Sequence, residues 1–111
     1  MPGQLKHRDR NAVEAFLALV KAEVGPLREP AVVFGSAVLG EATAESDVDI
    51  LLVLDREDED VRRKVFDLAF EVFLESDVLV SPLVMSPKRV ADWRRAGRRL
   101  IRDVQQDGVV V

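Results

Sequence analysis

Val48 to Leu54 reads Val-Asp-Ile-Leu-Leu-Val-Leu, apolar at every position but one. A strand sends successive side chains to opposite faces, so a run that is apolar on both faces has to be covered on both. The run is too short for a helix. It therefore predicts a strand at the centre of a small sheet with helices on either side. Asp49 is the exception. An unpaired carboxylate is costly to bury, so it must meet a cation, a hydrogen-bond donor or open solvent.

The flanking segments supply the cover. Val13, Phe16, Leu17, Val20 and Val24 recur at spacings of three and four, predicting a helix over 11–24. Asp9 or Asn11 would cap it and Gly25-Pro26 would stop it. Pro30 introduces a short apolar strand, Ala31 to Phe34, which ends at Gly35. Ser36 to Leu39 has room for one helical turn before Gly40 breaks it. A second long helix is expected over 58–75, with Val61, Val65, Leu68 and Val72 on its buried face and Phe66, Phe70 and Phe73 broadening that face. Val78 to Met85 is a third strand whose Pro82 suits an edge or a bulge. Ser86-Pro87 combines a cap with a first-turn proline. The last helix points Val90, Trp93, Leu100, Ile101 and Val104 inward, bends or splits at Gly97 and ends at Gly108. Val109 to Val111 would add a short final strand. The expected fold is α+β: one domain over 1–111, with a mixed sheet of three to four strands packed against helices.

No cysteine is present, which excludes disulfides, thiolate metal sites and a Cys nucleophile. The apolar runs are too short to span a bilayer, and Met1 to Arg10 lacks the apolar core of a signal peptide, so a cytoplasmic protein is expected. The net charge of -4 is unevenly spread: residues 41–77 carry -9 and residues 78–111 carry +4. The acidic middle argues against nucleic acid as the main partner. Arg94, Arg95, Arg98, Arg99 and Arg102 form a basic ridge that reads first as a solvated helix face, with phosphate or an acidic partner as the alternative. The lone histidine, His7, has no companion with which to form a site.

The chemistry concentrates between residues 34 and 54. Phe34-Gly35-Ser36 stands where a strand runs out, and glycine there lets the backbone take positive φ or approach a ligand closely. The Ser36 hydroxyl and nearby backbone N–H groups suit phosphate oxygens. Alternation along the next strand sends Asp47 and Asp49 to one face. Like charges held together repel unless a cation lies between them, and hard carboxylate oxygens that share a shell with phosphates suit Mg²⁺.

Taken together, Gly35-Ser36 followed by Ser46-Asp47-Val48-Asp49 and an apolar strand resembles the minimal nucleotidyltransferases of the DNA polymerase β-like superfamily. The specific motif covers Phe34 to Leu54. Elsewhere the resemblance rests on size, element order and the Ser-Pro-Leu-Val-Met-Ser-Pro segment of residues 81–87. It implies that Gly35 and Ser36 hold the triphosphate tail of an NTP, ATP above all. It implies that Asp47 and Asp49 ligate two Mg²⁺ ions, and that a third carboxylate on the following strand completes the site. Asp77 is the preferred residue for that role, as ligand and as base, and Glu75 is its competitor. The implied reaction is attack of a hydroxyl on the α-phosphate, transferring AMP and releasing pyrophosphate. Such proteins are often encoded beside a small helical HEPN-type partner, and some act on it as antitoxins.

The chain departs from the pattern after Gly35-Ser36, where many relatives carry a basic or aromatic residue and this one has Ala37, Val38 and Leu39. A catalytically idle module of the same fold, binding a nucleotide or a partner, is the alternative. A phosphohydrolase with an Asp-x-Asp nucleophile is disfavoured, because there the apolar strand precedes the pair and here it follows Asp49.

Overall fold

A computed structural model describes residues 5–39 and 47–111. The order is α1 (His7–Glu23), β1 (Val32–Phe34), α2 (Ser36–Leu39), β2 (Val48–Val53), α3 (Glu59–Ser76), β3 (Val80–Met85), α4 (Pro87–Ala96), α5 (Arg99–Asp107) and β4 (Val109–Val110). The strands form one mixed sheet in the order β3-β2-β1-β4. β1 is antiparallel to β2 and β4, while β2 and β3 run parallel, joined by the α3 crossover. The expected α+β fold is what forms, with the fourth strand included.

β2 lies inside the sheet, and its alternation builds two cores. Val48, Ile50 and Leu52 pack with Val13, Phe16 and Val20 of α1 and with Val65, Leu68 and Val72 of α3. Leu51 and Val53 point the other way, to Met85, Val90 of α4 and Ile101 and Val104 of α5. A strand sandwiched by two helical layers has no polar face, which is why its sequence shows almost no alternation.

Local chemistry sets most boundaries. The Asp58 carboxylate caps α3 by accepting from Val61 N–H at 3.0 Å. Ser86 caps α4 by accepting from Arg89 N–H at 3.2 Å, with Pro87 in the first turn. Gly97, at φ 66°, ends α4 and separates it from α5, so of the bend or split expected there the split is what forms. Pro82 sits on β3, an edge strand, where its missing N–H costs least. Burial raises the Glu57 carboxyl, but hydrogen bonds from Arg89 and Ser86 outweigh it and hold the group below its usual range.

Three expectations need correction. α1 begins at His7 rather than Asn11, and neither Asp9 nor Asn11 is its cap. Residues 7–10 carry no apolar stripe, but Arg8 ties that first turn to the carbonyl of Asp77 at 2.8 Å. β3 begins at Val80, because Asp77 ends α3 in a left-handed turn and Val78 N–H bonds the Ser76 hydroxyl. Phe66 and Phe70 do not widen the buried face of α3: they are 53% and 56% exposed. The role foreseen for Gly40 lies outside the described residues. Among the described residues, no helix is long and apolar enough to cross a membrane.

Candidate functional site

β1 ends at Phe34, which pairs with Asp49 across the antiparallel ladder. The next residue, Gly35, turns the chain with φ +80°, a conformation L side chains rarely adopt. A Cβ built on Gly35 would lie 2.7 Å from Oδ2 of Asp49. Glycine is thus required twice, by the dihedral and by the carboxylate that fills the space beside it. Val38 N–H donates to the Gly35 carbonyl at 3.1 Å and closes the turn, and Ser36 opens α2.

Asp47 directly precedes β2 and is exposed, whereas Asp49 is half-buried. Asp49 shares the sheet side of Leu51 and Val53 but stands outside the core that those two residues enter. Burial, and then the charge of Asp47, push the Asp49 carboxyl above its usual range. Both effects penalise the charged form, and a cation between the two carboxylates would relieve both.

Gly35, Ser36, Asp47 and Asp49 therefore gather at one end of the sheet. Asp77 does not join them. In the parallel β2–β3 register the residue facing Asp49 is Ser81, and Asp77 lies four positions upstream of it. Asp77 instead terminates α3 at φ 61°, its side chain 87% exposed and 3.6 Å from Arg8. The left-handed turn carries it toward α1, away from the sheet side that bears Asp49. Glu75, the competitor, lines a shallow groove with His7, Arg8 and Asn11. Among the described residues, no three His, Cys, Asp or Glu side chains form a group able to hold a metal ion. Ser46 lies outside them.

Ser81 was not foreseen as part of the site. Half-buried on β3, it is the residue that pairs with Asp49 across the ladder, on the strand where a third carboxylate is expected. The 81–87 segment that resembles the family contains it, but the sequence does not say that it faces Asp49, because parallel register is set by how α3 spans the crossover. Ala37 and Val38, which follow Gly35-Ser36, are buried in the core shared with α1 and α3, so neither side chain faces a ligand.

The surface features settle more simply. Arg94 forms a two-pronged ion pair with Glu29, with contacts of 2.6 and 3.1 Å. Arg89 and Arg98 stack on the Trp93 ring, at 4.9 and 5.2 Å from its centroid. Trp93 packs partly buried against the second core rather than offering a free face. His7 is exposed and bonds Asn11.

A family model described as a nucleotidyltransferase domain matches residues 13–109, from the second turn of α1 to β4, and so spans every residue of this cluster. No curated protein matches the chain.

Proposed function

Because this chain belongs to the nucleotidyltransferase domain family, we propose that the Gly35–Asp49 end of its sheet binds an NTP with Mg²⁺ and transfers the nucleoside monophosphate, AMP from ATP, to a hydroxyl. The observation that carries this reading is the packing of Gly35 against the Asp49 carboxylate with Asp47 close enough to raise its pKa. That arrangement brings a phosphate-sized turn and a carboxylate pair to one place.

The donor set fits the ion. Mg²⁺ is commonly held by one or two carboxylates and completes its shell with waters and substrate phosphates. Asp47 and Asp49 would hold it, and Ser81 would hydrogen-bond a carboxylate or a bound water. Bound Mg²⁺ supplies charge neutralisation on the phosphates and lowers the pKa of the attacking hydroxyl. The chain's own work is positioning: the Ser36 hydroxyl and the turn's N–H groups orient the triphosphate tail, and the apolar floor of Leu51 and Val53 keeps water from behind Asp49. In the reaction the acceptor oxygen bonds the α-phosphorus, the bond to the β-phosphate oxygen breaks, and pyrophosphate leaves. The acceptor's proton passes to solvent or to a group on the acceptor, since Asp77 is not in reach to take it.

The acceptor is proposed to be a protein hydroxyl, and a small helical HEPN-type partner would supply it in the role of toxin to this antitoxin. The test is labelling by α-labelled ATP and Mg²⁺ of such a partner, with wild type compared against Asp49→Asn. Labelling by wild type alone supports transfer; equal labelling by both, or none by either with a verified partner, overturns it.

One observation favours a second reading. With Ser81 where a third carboxylate was expected, the site has two acidic ligands among the described residues. An idle nucleotide-binding module would bind MgATP at Gly35–Ser36 and never release pyrophosphate. Pyrophosphate release measured beside binding separates the two.

A further inference from the structure

Leu79 is 41% exposed and, among the described residues, joins neither core. An exposed leucine by itself says nothing, since folded proteins carry many; its position does. Val78 and Val80 both turn into the core shared with α1 and α3, so Leu79 between them faces the other side of the sheet, the side of Asp49. Its carbonyl accepts from Val48 N–H at 2.9 Å, which sets it level with the residue between Asp47 and Asp49. Two positions on, Ser81 pairs with Asp49. An apolar side chain thus stands next to the carboxylate pair.

The strand order decides what that place receives. Gly35 follows β1, Asp49 lies on β2 and Leu79 leads into β3, so the carboxylates stand between the phosphate turn and Leu79. On the transfer reading, on which this inference rests, attacking and leaving oxygens lie roughly in line through the phosphorus. The pyrophosphate is held at Gly35–Ser36. The acceptor oxygen therefore bonds the α-phosphorus from the β3 side as the bond to the β-phosphate oxygen breaks, and its proton passes to solvent.

The edge also limits the shape of the acceptor. β3 pairs with β2 alone, so one row of its backbone groups points away from the sheet. The Leu79 and Met85 carbonyls point inward, to Val48 and Leu54 N–H, so the alternate residues Val80, Pro82 and Val84 point outward. Pro82 has no N–H to offer there, and a partner strand laid along the edge would meet a gap at mid-strand. We propose that the protein acceptor docks over the β3 edge as a helical segment rather than an added strand. An apolar group of that segment packs on Leu79, beside the hydroxyl that reaches the α-phosphate. Leu79 is then a specificity-determining residue for the acceptor and takes no part in holding the nucleotide.

Leu79→Ser tests this, because it removes the apolar contact and keeps the backbone bond to Val48. With the HEPN-type protein of the labelling assay as acceptor, the acceptor KM should rise by about tenfold. Transfer at saturating acceptor and affinity for MgATP should stay within about twofold. Leu79→Met should return KM to the wild-type value, a rescue that a purely structural defect would not show. An unchanged KM in Leu79→Ser, or a loss of MgATP affinity that accounts for the lost transfer, overturns the proposal. Amide shifts read the same surface without catalysis. The HEPN-type protein added without nucleotide should perturb Leu79, Val80 and Ser81, and MgATP added alone should perturb Gly35 and Ser36. Partner shifts confined to α3 or to the arginines of α4 and α5, or no partner shifts at all, would sink it whether or not transfer occurs. Partner shifts at Leu79–Ser81 without labelling by wild type would retire the transfer reading and leave the docking edge standing.

Discussion

The space that a side chain at residue 35 would need is taken by the carboxylate of Asp49, whose Oδ2 lies 2.7 Å from the position of a Gly35 Cβ. Gly35→Ala therefore strains the φ +80° backbone and displaces Asp49 together. A cost of about 1–3 kcal/mol in unfolding free energy is expected from such a conformation. Mn²⁺ affinity should fall with it, by about tenfold or more as for a lost positioning contact. Denaturant melts and Mn²⁺ electron paramagnetic resonance check the two effects. Unchanged Mn²⁺ binding in a strained but folded variant would show that the turn and the carboxylate act independently.

Asp49→Asn separates function from stability. The carboxyl of Asp49 is raised in the folded state by burial and by Asp47. The sign follows: the unfolded chain ionises first as pH rises, so this group costs stability above its ordinary pKa, and the full cost is present once pH passes the raised folded value. Without metal, Asp49→Asn should melt higher than wild type at neutral pH, and the difference should shrink on acidification. Nucleotidyl transfer should drop at least about a hundredfold, as expected when a metal loses a ligand. A variant less stable than wild type at neutral pH would mean that Asp49 has a structural partner instead.

Ser81 faces Asp49 across the parallel β2–β3 ladder. Ser81→Asp would put a third carboxylate on the side of the sheet that carries the pair. The expectation is tighter Mg²⁺ or Mn²⁺ binding, by about tenfold, and lower stability in the absence of metal through added repulsion. Isothermal titration with Mn²⁺ reads the first and thermal melts with and without metal read the second. Weaker metal binding would place the ion away from β3.

Asp77 terminates α3 in the left-handed region at φ 61°, exposed beside Arg8. Glycine is the residue that adopts this conformation without penalty. Asp77→Gly should therefore raise the stability of the dilute protein by about 0.5–1 kcal/mol and leave transfer within about twofold, since surface ion pairs contribute little. A large loss of activity would return Asp77 to the site despite its position.

Much of this protein is determined by the chain read alone. The apolar run of residues 48–54 requires a covered central strand, and the helices at its flanks follow from stripes at spacings of three and four, because burial pattern and secondary-structure period are local properties. The gathering of Gly35, Ser36, Asp47 and Asp49 also follows locally: a strand that ends at a glycine is hydrogen-bonded to the strand that carries the aspartates, and two-residue alternation aligns the pair. What tertiary structure decided is whatever depends on register and on which helix face finds a partner. Asp77 precedes the third strand in sequence, but the register across β2 and β3 places Ser81 beside Asp49, and a left-handed turn sends Asp77 to Arg8. Phe66 and Phe70 carry the same hydrophobic signal as Leu68 and Val72, yet α1 and the sheet leave room for one face of α3 only. Hydrophobicity marks a residue for burial; the geometry of neighbouring elements determines which of those residues the fold itself covers.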